Sequence, residues 1–177
     1  LSLLFSKSHD RVLLIDGDVH RPRLHKALGV EGGVGLAQVL KDEAAFDDVV
    51  RRGIGGSLDF LPAGHCEDLA EVVQPERAAA LLEMLKSRYA LIVIDSPPAL
   101  AVADTRILAR LADHVVYLVR WNATPRDAVR NGVKLLRGAG VRLSGIVLSQ
   151  VNQRKHSKYG YGDYGQYYGR YRQYYGG

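Results

Sequence analysis

At 177 residues the chain suits one domain with a sizeable core, and with 47% hydrophobic residues it reads as globular rather than disordered. Its longest apolar runs fall far short of the ~18–20 residues that span a bilayer, no basic-then-apolar leader opens it, and its one cysteine, Cys66, excludes an internal disulfide framework and fits a reducing compartment. The net charge of +5 is unevenly placed: residues 151–177 hold five basic residues against Asp163 alone, so a nearly neutral body carries a basic tail.

Residues 1–5 read as the end of an amphipathic helix, and a chain that opens on a bare apolar run without Met is expected to be a fragment. Residues 11–15 read as a strand buried on both faces, the mark of a parallel sheet. That strand runs into Asp16-Gly17-Asp18, where Gly17 allows a tight turn, and Pro22 suits the first turn of a following helix. Residues 23–28 form a predicted short helix closed by Gly29, and residues 36–41 another. Between them, Gly32-Gly33-Val34-Gly35 lacks the Lys-Ser/Thr ending of a phosphate-binding loop and reads as a plain connection.

Two short strands are predicted next, one around Val49-Val50 and one at residues 58–61, the second ending at Pro62-Ala63-Gly64. Residues 75–88 place Ala78, Leu81, Leu82 and Leu85 at helical spacing. Residues 90–94 form a second fully apolar strand, and it too ends in an aspartate, Asp95, before Ser96-Pro97-Pro98. A helix over 102–112 and an apolar strand over 115–119 follow. Thr124 is the expected N-cap, with Pro125 at the first position, of a helix that stops near Gly138 and Gly140. Residues 143–148 are the last strand. This alternation predicts an α/β fold, a largely parallel sheet with helices on both faces. The chain divides into a body, 1–150, and a tail, 151–177, that lacks aliphatic residues after Val151 and is expected to be disordered.

Two buried strands each ending in aspartate are a sharper signal than either alone. Adjacent in a parallel sheet, Asp16 and Asp95 would converge at the edge where such sheets bind ligands. Converging carboxylates suit Mg²⁺, which is held by one or two carboxylates, water and nucleotide phosphates. Taken singly, each aspartate also suits a turn or a cap. Arg21 would contact a phosphate or a carboxylate bidentately, or stand in a solvated basic loop with Arg23 and Lys26. His20 and His25 lack a ligand set for zinc, and no Gly-x-Ser-x-Gly elbow supports a serine nucleophile. The tail holds Tyr159, Tyr161, Tyr164, Tyr167, Tyr168, Tyr171, Tyr174 and Tyr175 among six glycines. It could stack on single-stranded nucleic acid, act as a low-complexity spacer, or serve as a phosphorylation substrate. Eight phosphates would add on the order of −12 to −16 charges and reverse the tail's sign.

Val12-Leu13-Leu14-Ile15-Asp16-Gly17-Asp18 resembles the Walker A′ motif of bacterial tyrosine kinases (BY-kinases), an apolar strand followed by Asp-x-Asp-x-Arg. Ile92-Val93-Ile94-Asp95-Ser96-Pro97-Pro98 resembles their Walker B motif, and the tyrosine cluster matches in composition and position. Leu61-Pro62-Ala63-Gly64 and the helix from Thr124-Pro125 are similar to family segments. Two departures stand out: His20 occupies the place of the motif arginine, with Arg21 next, and the Walker A loop is missing, as expected of an N-terminally truncated chain. Ser149 also stands where relatives often carry Asn.

The resemblance implies a P-loop NTPase fold of the MinD/ParA-like type and a protein tyrosine autokinase that transfers the ATP γ-phosphoryl group to the tail. It implies that Asp16 orients or deprotonates the tyrosine, that Asp18 and Asp95 hold Mg²⁺, and that Asp16, Asp18, Arg21 and Asp95 contact the cofactors ATP and Mg²⁺. It further implies a homo-oligomeric ring with trans phosphorylation, a polysaccharide co-polymerase membrane region or separate membrane activator, a cognate tyrosine phosphatase, and control of exopolysaccharide and capsule export. The place implied is the cytoplasmic face of the inner (plasma) membrane, with this stretch itself soluble and, without the Walker A loop, inactive. Two rivals remain: a MinD/ParA-like ATPase switch, and a single-stranded nucleic-acid-binding protein using the Tyr/Arg/Gly tail, whereas the kinase reading needs no nucleic acid.

Overall fold

A computed structural model of the chain describes residues 2–7, 11–66, 74–101 and 104–152. In chain order the described elements are α1 (Ser2–Phe5), β1 (Val12–Asp16), α2 (Leu24–Leu28), α3 (Leu36–Leu40), α4 (Phe46–Val49), β2 (Arg51–Ile54) and β3 (Leu58–Leu61). They continue with α5 (Pro75–Arg88), β4 (Leu91–Asp95), α6 (Asp104–Leu111), β5 (Val115–Arg120), α7 (Arg126–Gly138) and β6 (Leu143–Ser149). The eight tail tyrosines and positions 102–103 of the helix expected over 102–112 lie outside the described residues.

The main sheet has the order β2-β3-β1-β4. β1 pairs in parallel with β3 and β4, and β2 runs antiparallel to β3 at the edge. Every residue of β1 is buried, because it has strands on both sides and helices over both faces. Leu13 and Ile15 enter the larger core with α3, α4, α5 and Leu108 of α6. Val12 and Leu14 point the other way, to Leu58, Phe60, and Leu24 and Leu28 of α2. This split follows the period-2 alternation of a strand.

Four expectations are corrected. Val49 is not in a strand: it and Phe46, three residues apart, are buried by the one turn of α4, whose first-turn Asp47 and Asp48 suit a helix N-terminus. The strand there is β2, whose Arg51 and Arg52 fit an edge rather than a core. Second, β4 is only half-buried along residues 91–94, since among the described strands it has β1 alone as neighbour. Third, the strands do not join in one sheet: β5 and β6 form a separate parallel pair. Fourth, Thr124 caps nothing. α7 begins after Pro125, and the Thr124 hydroxyl instead accepts the Arg120 N–H at 3.2 Å.

α7 lies on one face of the β5–β6 pair. Gly132, buried in mid-helix, meets the Tyr117 phenol so closely that a Cβ there would overlap it. Val116 and Leu118 lie on the opposite face and are exposed. At the carboxyl ends the Trp121 N–H donates to the Ser149 carbonyl at 2.9 Å, tying the start of the β5–α7 loop to the end of β6.

Candidate active site

Asp16 and Asp95 stand directly opposite each other in the β1–β4 register. The ladder runs one step further, with the Gly17 N–H donating to the Asp95 carbonyl at 2.8 Å. The chain then turns, and Asp18 follows at the same end of the sheet. The convergence expected from two strands ending in aspartate is what the register produces.

Asp16 is 1% exposed and is held by two backbone donors, Asp18 N–H to Oδ1 at 3.1 Å and Leu24 N–H to Oδ2 at 3.3 Å. Burial raises its pKa above the ordinary carboxylate value. The two hydrogen bonds offset part of that rise, the charge of Asp18 adds to it, and His25 opposes it. Asp18 is half-buried, and its Oδ1 accepts the Arg21 N–H at 2.9 Å. Asp95 is the more exposed carboxylate. Its pKa is nonetheless raised, first by partial desolvation and then by the charges of Asp16 and Asp18.

These carboxylates therefore repel one another at one sheet end. Such a set fits a hard cation. Among the described residues no group of three or more His, Cys, Asp or Glu is placed to hold a metal ion by itself, so a cation at this sheet end would need ligands from outside the chain. The Arg21 side chain is exposed and makes no ion pair with a carboxylate among the described residues; only its backbone joins the site.

Supporting contacts were harder to read from sequence. Arg23, the N-cap of α2, offers no side-chain acceptor, so a first-turn amide needs a partner elsewhere, and Leu24 finds it in Asp16. Arginine at that position was the available clue. Beyond Asp95, the Pro97 carbonyl accepts the buried Thr105 hydroxyl at 2.8 Å, pinning the Ser96-Pro97-Pro98 turn to α6. No local pattern marks that pair. The glycine loop before α3 serves as the connection expected of it. Leu36 and Ala37 N–H groups donate to the Pro62 and Ala63 carbonyls, and a Cβ on Gly35 would overlap Pro62. Gln38 closes the same contact, accepting the Gly35 N–H and donating to the His65 carbonyl.

No family model matches the chain. It is 34% identical over 169 residues to EpsB of Ralstonia solanacearum, covering 94% of this chain and 22% of EpsB. It is 30% identical over 162 residues to the tyrosine-protein kinase YwqD of Bacillus subtilis, covering 91% of this chain and 68% of YwqD. The chain thus spans about a fifth of the length of EpsB and about two thirds of YwqD. Among solved structures it is similar to the VpsO kinase domain, with TM-score 0.77 and 32% identity, over 85% of this chain and 75% of that one. The cell-division protein MinD of Aquifex aeolicus, at TM-score 0.69 and 21% identity over 89% of this chain and 62% of that one, shows the shared P-loop NTPase fold alone.

Proposed function

Because this chain belongs to the bacterial tyrosine kinases, we propose that Asp16, Asp18 and Asp95 form half of an ATP-dependent site that phosphorylates the tyrosines of residues 153–177. The observation that carries this reading is the juxtaposition of Asp16 and Asp95 across paired parallel strands, with Asp18 one turn away. The tail offers Tyr159, Tyr161, Tyr164, Tyr167, Tyr168, Tyr171, Tyr174 and Tyr175 as acceptors.

In the proposed step a tyrosine phenol oxygen bonds to the γ-phosphorus of ATP and the bond from that phosphorus to the β–γ bridging oxygen breaks. ADP leaves with the electron pair, and the phenolic proton passes to the Asp16 carboxylate. A phenol has a pKa of ~10, so positioning matters as much as basicity. Asp16 supplies the first through its two backbone hydrogen bonds and the second through its raised pKa. Asp18 and Asp95 would hold Mg²⁺, largely through water, and Arg21 would meet a phosphate. Mg²⁺ would supply charge neutralisation on the polyphosphate. The wider setting proposed is the family's: a ring of copies, a membrane region in the same or a separate chain, a cognate phosphatase, and control of exopolysaccharide export at the cytoplasmic membrane face.

The 177 residues contain no Gly-x-x-x-x-Gly-Lys-Ser/Thr loop, so the test uses a chain carrying such a loop ahead of residue 1. With ATP and Mg²⁺, phosphate should appear on the tail. Asp16→Asn should lower the rate on the order of 100-fold or more while nucleotide binding persists. The wild-type rate should fall with pH through the raised Asp16 pKa, above the ~4 of an ordinary carboxylate. Nucleotide hydrolysis with an unmodified tail would instead support a MinD/ParA-like switch.

A further inference from the structure

Helix α7 carries a second charged feature. Arg126, Arg130, Lys134 and Arg137 follow one another at spacings of four, four and three residues, so they share one face. All four are exposed, while Gly132 and Leu136 on the opposite side are buried against the β5–β6 pair. Among the described residues Arg130 has an ion pair, with Asp127 at 3.3 Å, and Arg126, Lys134 and Arg137 have none. Like charges at these spacings repel and weaken a helix, so the row is not a stabilising device. It calls for an anion.

We propose that this cationic face of α7 is the docking surface for the chain's own C-terminal segment, residues 153–177, once its tyrosines carry phosphate. The inference rests on the kinase reading for the source of that phosphate. Charge supplies its direction. Unmodified, the segment is +4 and is repelled by the row; with eight phosphates it becomes net negative by roughly 8 to 12 charges and is attracted. Arginine forks match phosphate oxygens well.

Topology supplies the proximity. The parallel β5–β6 pair brings both carboxyl ends to one side, where Trp121 bonds Ser149. The C-terminal segment leaves from that side after Asn152, and α7 starts there at Arg126. The helix is about 20 Å long, whereas 25 residues of any chain can span up to about 85 Å, so the whole row is within reach. Phosphorylation would then hold the modified tail on this helix.

Synthetic peptides of residues 153–177, phosphorylated or not, should be titrated onto the full chain by fluorescence anisotropy, which needs no kinase activity. The phosphopeptide should bind, the unmodified one should not, and salt should weaken the complex. Replacing Arg126, Arg130, Lys134 and Arg137 by Gln, which keeps helix propensity, should weaken binding about tenfold or more. Replacing Lys7, Lys41, Arg106 and Arg110 by Gln removes the same charge elsewhere and should leave binding unchanged. Equal affinity for both peptides, equal affinity of both variants, or binding to phosphatidylglycerol vesicles without the phosphopeptide would overturn the proposal. Tail phosphorylation without docking would sink this inference and leave the kinase reading standing; docking of the synthetic phosphopeptide with no kinase activity would do the reverse.

Discussion

Strands β1 and β5 are written in similar residues, Val-Leu-Leu-Ile-Asp against Val-Val-Tyr-Leu-Val-Arg, and they meet opposite surroundings. β1 lies between β3 and β4 with apolar side chains packed on both faces, and Leu13 is 0% exposed. β5 has β6 as its described neighbour and α7 on one face, and Leu118 on the other is 65% exposed. A row of aliphatic residues states what a strand can bury. The number of neighbours decides what it does bury. Asp16, the base of the proposed reaction, ends the enclosed strand and is held there by two backbone hydrogen bonds, and the proposed docking row sits on the half-covered unit, where charge can reach solvent.

The contrast can be broken first at its strongest point. Leu13→Ala should cost about 2–5 kcal/mol in urea unfolding, because it empties a packed site in the core. Leu118→Ala, an equal deletion in β5, should stay within about 0.5 kcal/mol of the parent. Equal losses would mean that the two strands are equally enclosed in solution.

A smaller effect is expected where α5 meets the edge of the main sheet. The Tyr89 hydroxyl donates to Asp59 Oδ2 at 2.8 Å, and Asp59 Oδ1 accepts the Gly53 N–H from β2. Burial and that carboxylate push the phenol's pKa well up. Tyr89→Phe should cost about 1–2 kcal/mol by the same measurement, and no change would show that water replaces the contact.

The smallest effect tests the carboxylate cluster. Asp16 and Asp95 bind protons more tightly folded than unfolded, so stability should fall as pH rises from ~4 through their raised pKa values and then level off. Asp95→Asn removes part of that slope. Its Tm should exceed the parent's at neutral pH and lose the advantage in acid, and Mg²⁺ should narrow the neutral gap. A variant less stable than the parent at neutral pH would contradict mutual repulsion at this end of the sheet.

Much of this was legible beforehand because it depends on local pattern. Four apolar residues before Asp16 and four before Asp95 marked two strands of a parallel sheet, and their pairing then brought the carboxylates together. The helix over Pro75–Arg88 followed from its apolar spacing, and the αL end of α2 from Gly29. The misreadings share a cause. Val49-Val50 looks like strand by side chain alone, but Phe46 three residues earlier makes one helical turn the way to bury both Phe46 and Val49. Thr124 has the chemistry of a cap, yet the Arg120 N–H takes its hydroxyl.

By itself the sequence determined which residues can be strand, helix or turn, where the aspartates stand relative to their strands, and how charge divides between body and tail. Those are properties of neighbours along the chain, set by side-chain period, backbone freedom and formal charge. Only the tertiary structure decided that Leu24 would hold Asp16, that Thr105 would pin the turn after Asp95, and that β5–β6 would stand as a separate, half-covered pair. Each joins groups from different elements, and such contacts exist only once hydrophobic burial has chosen which faces meet.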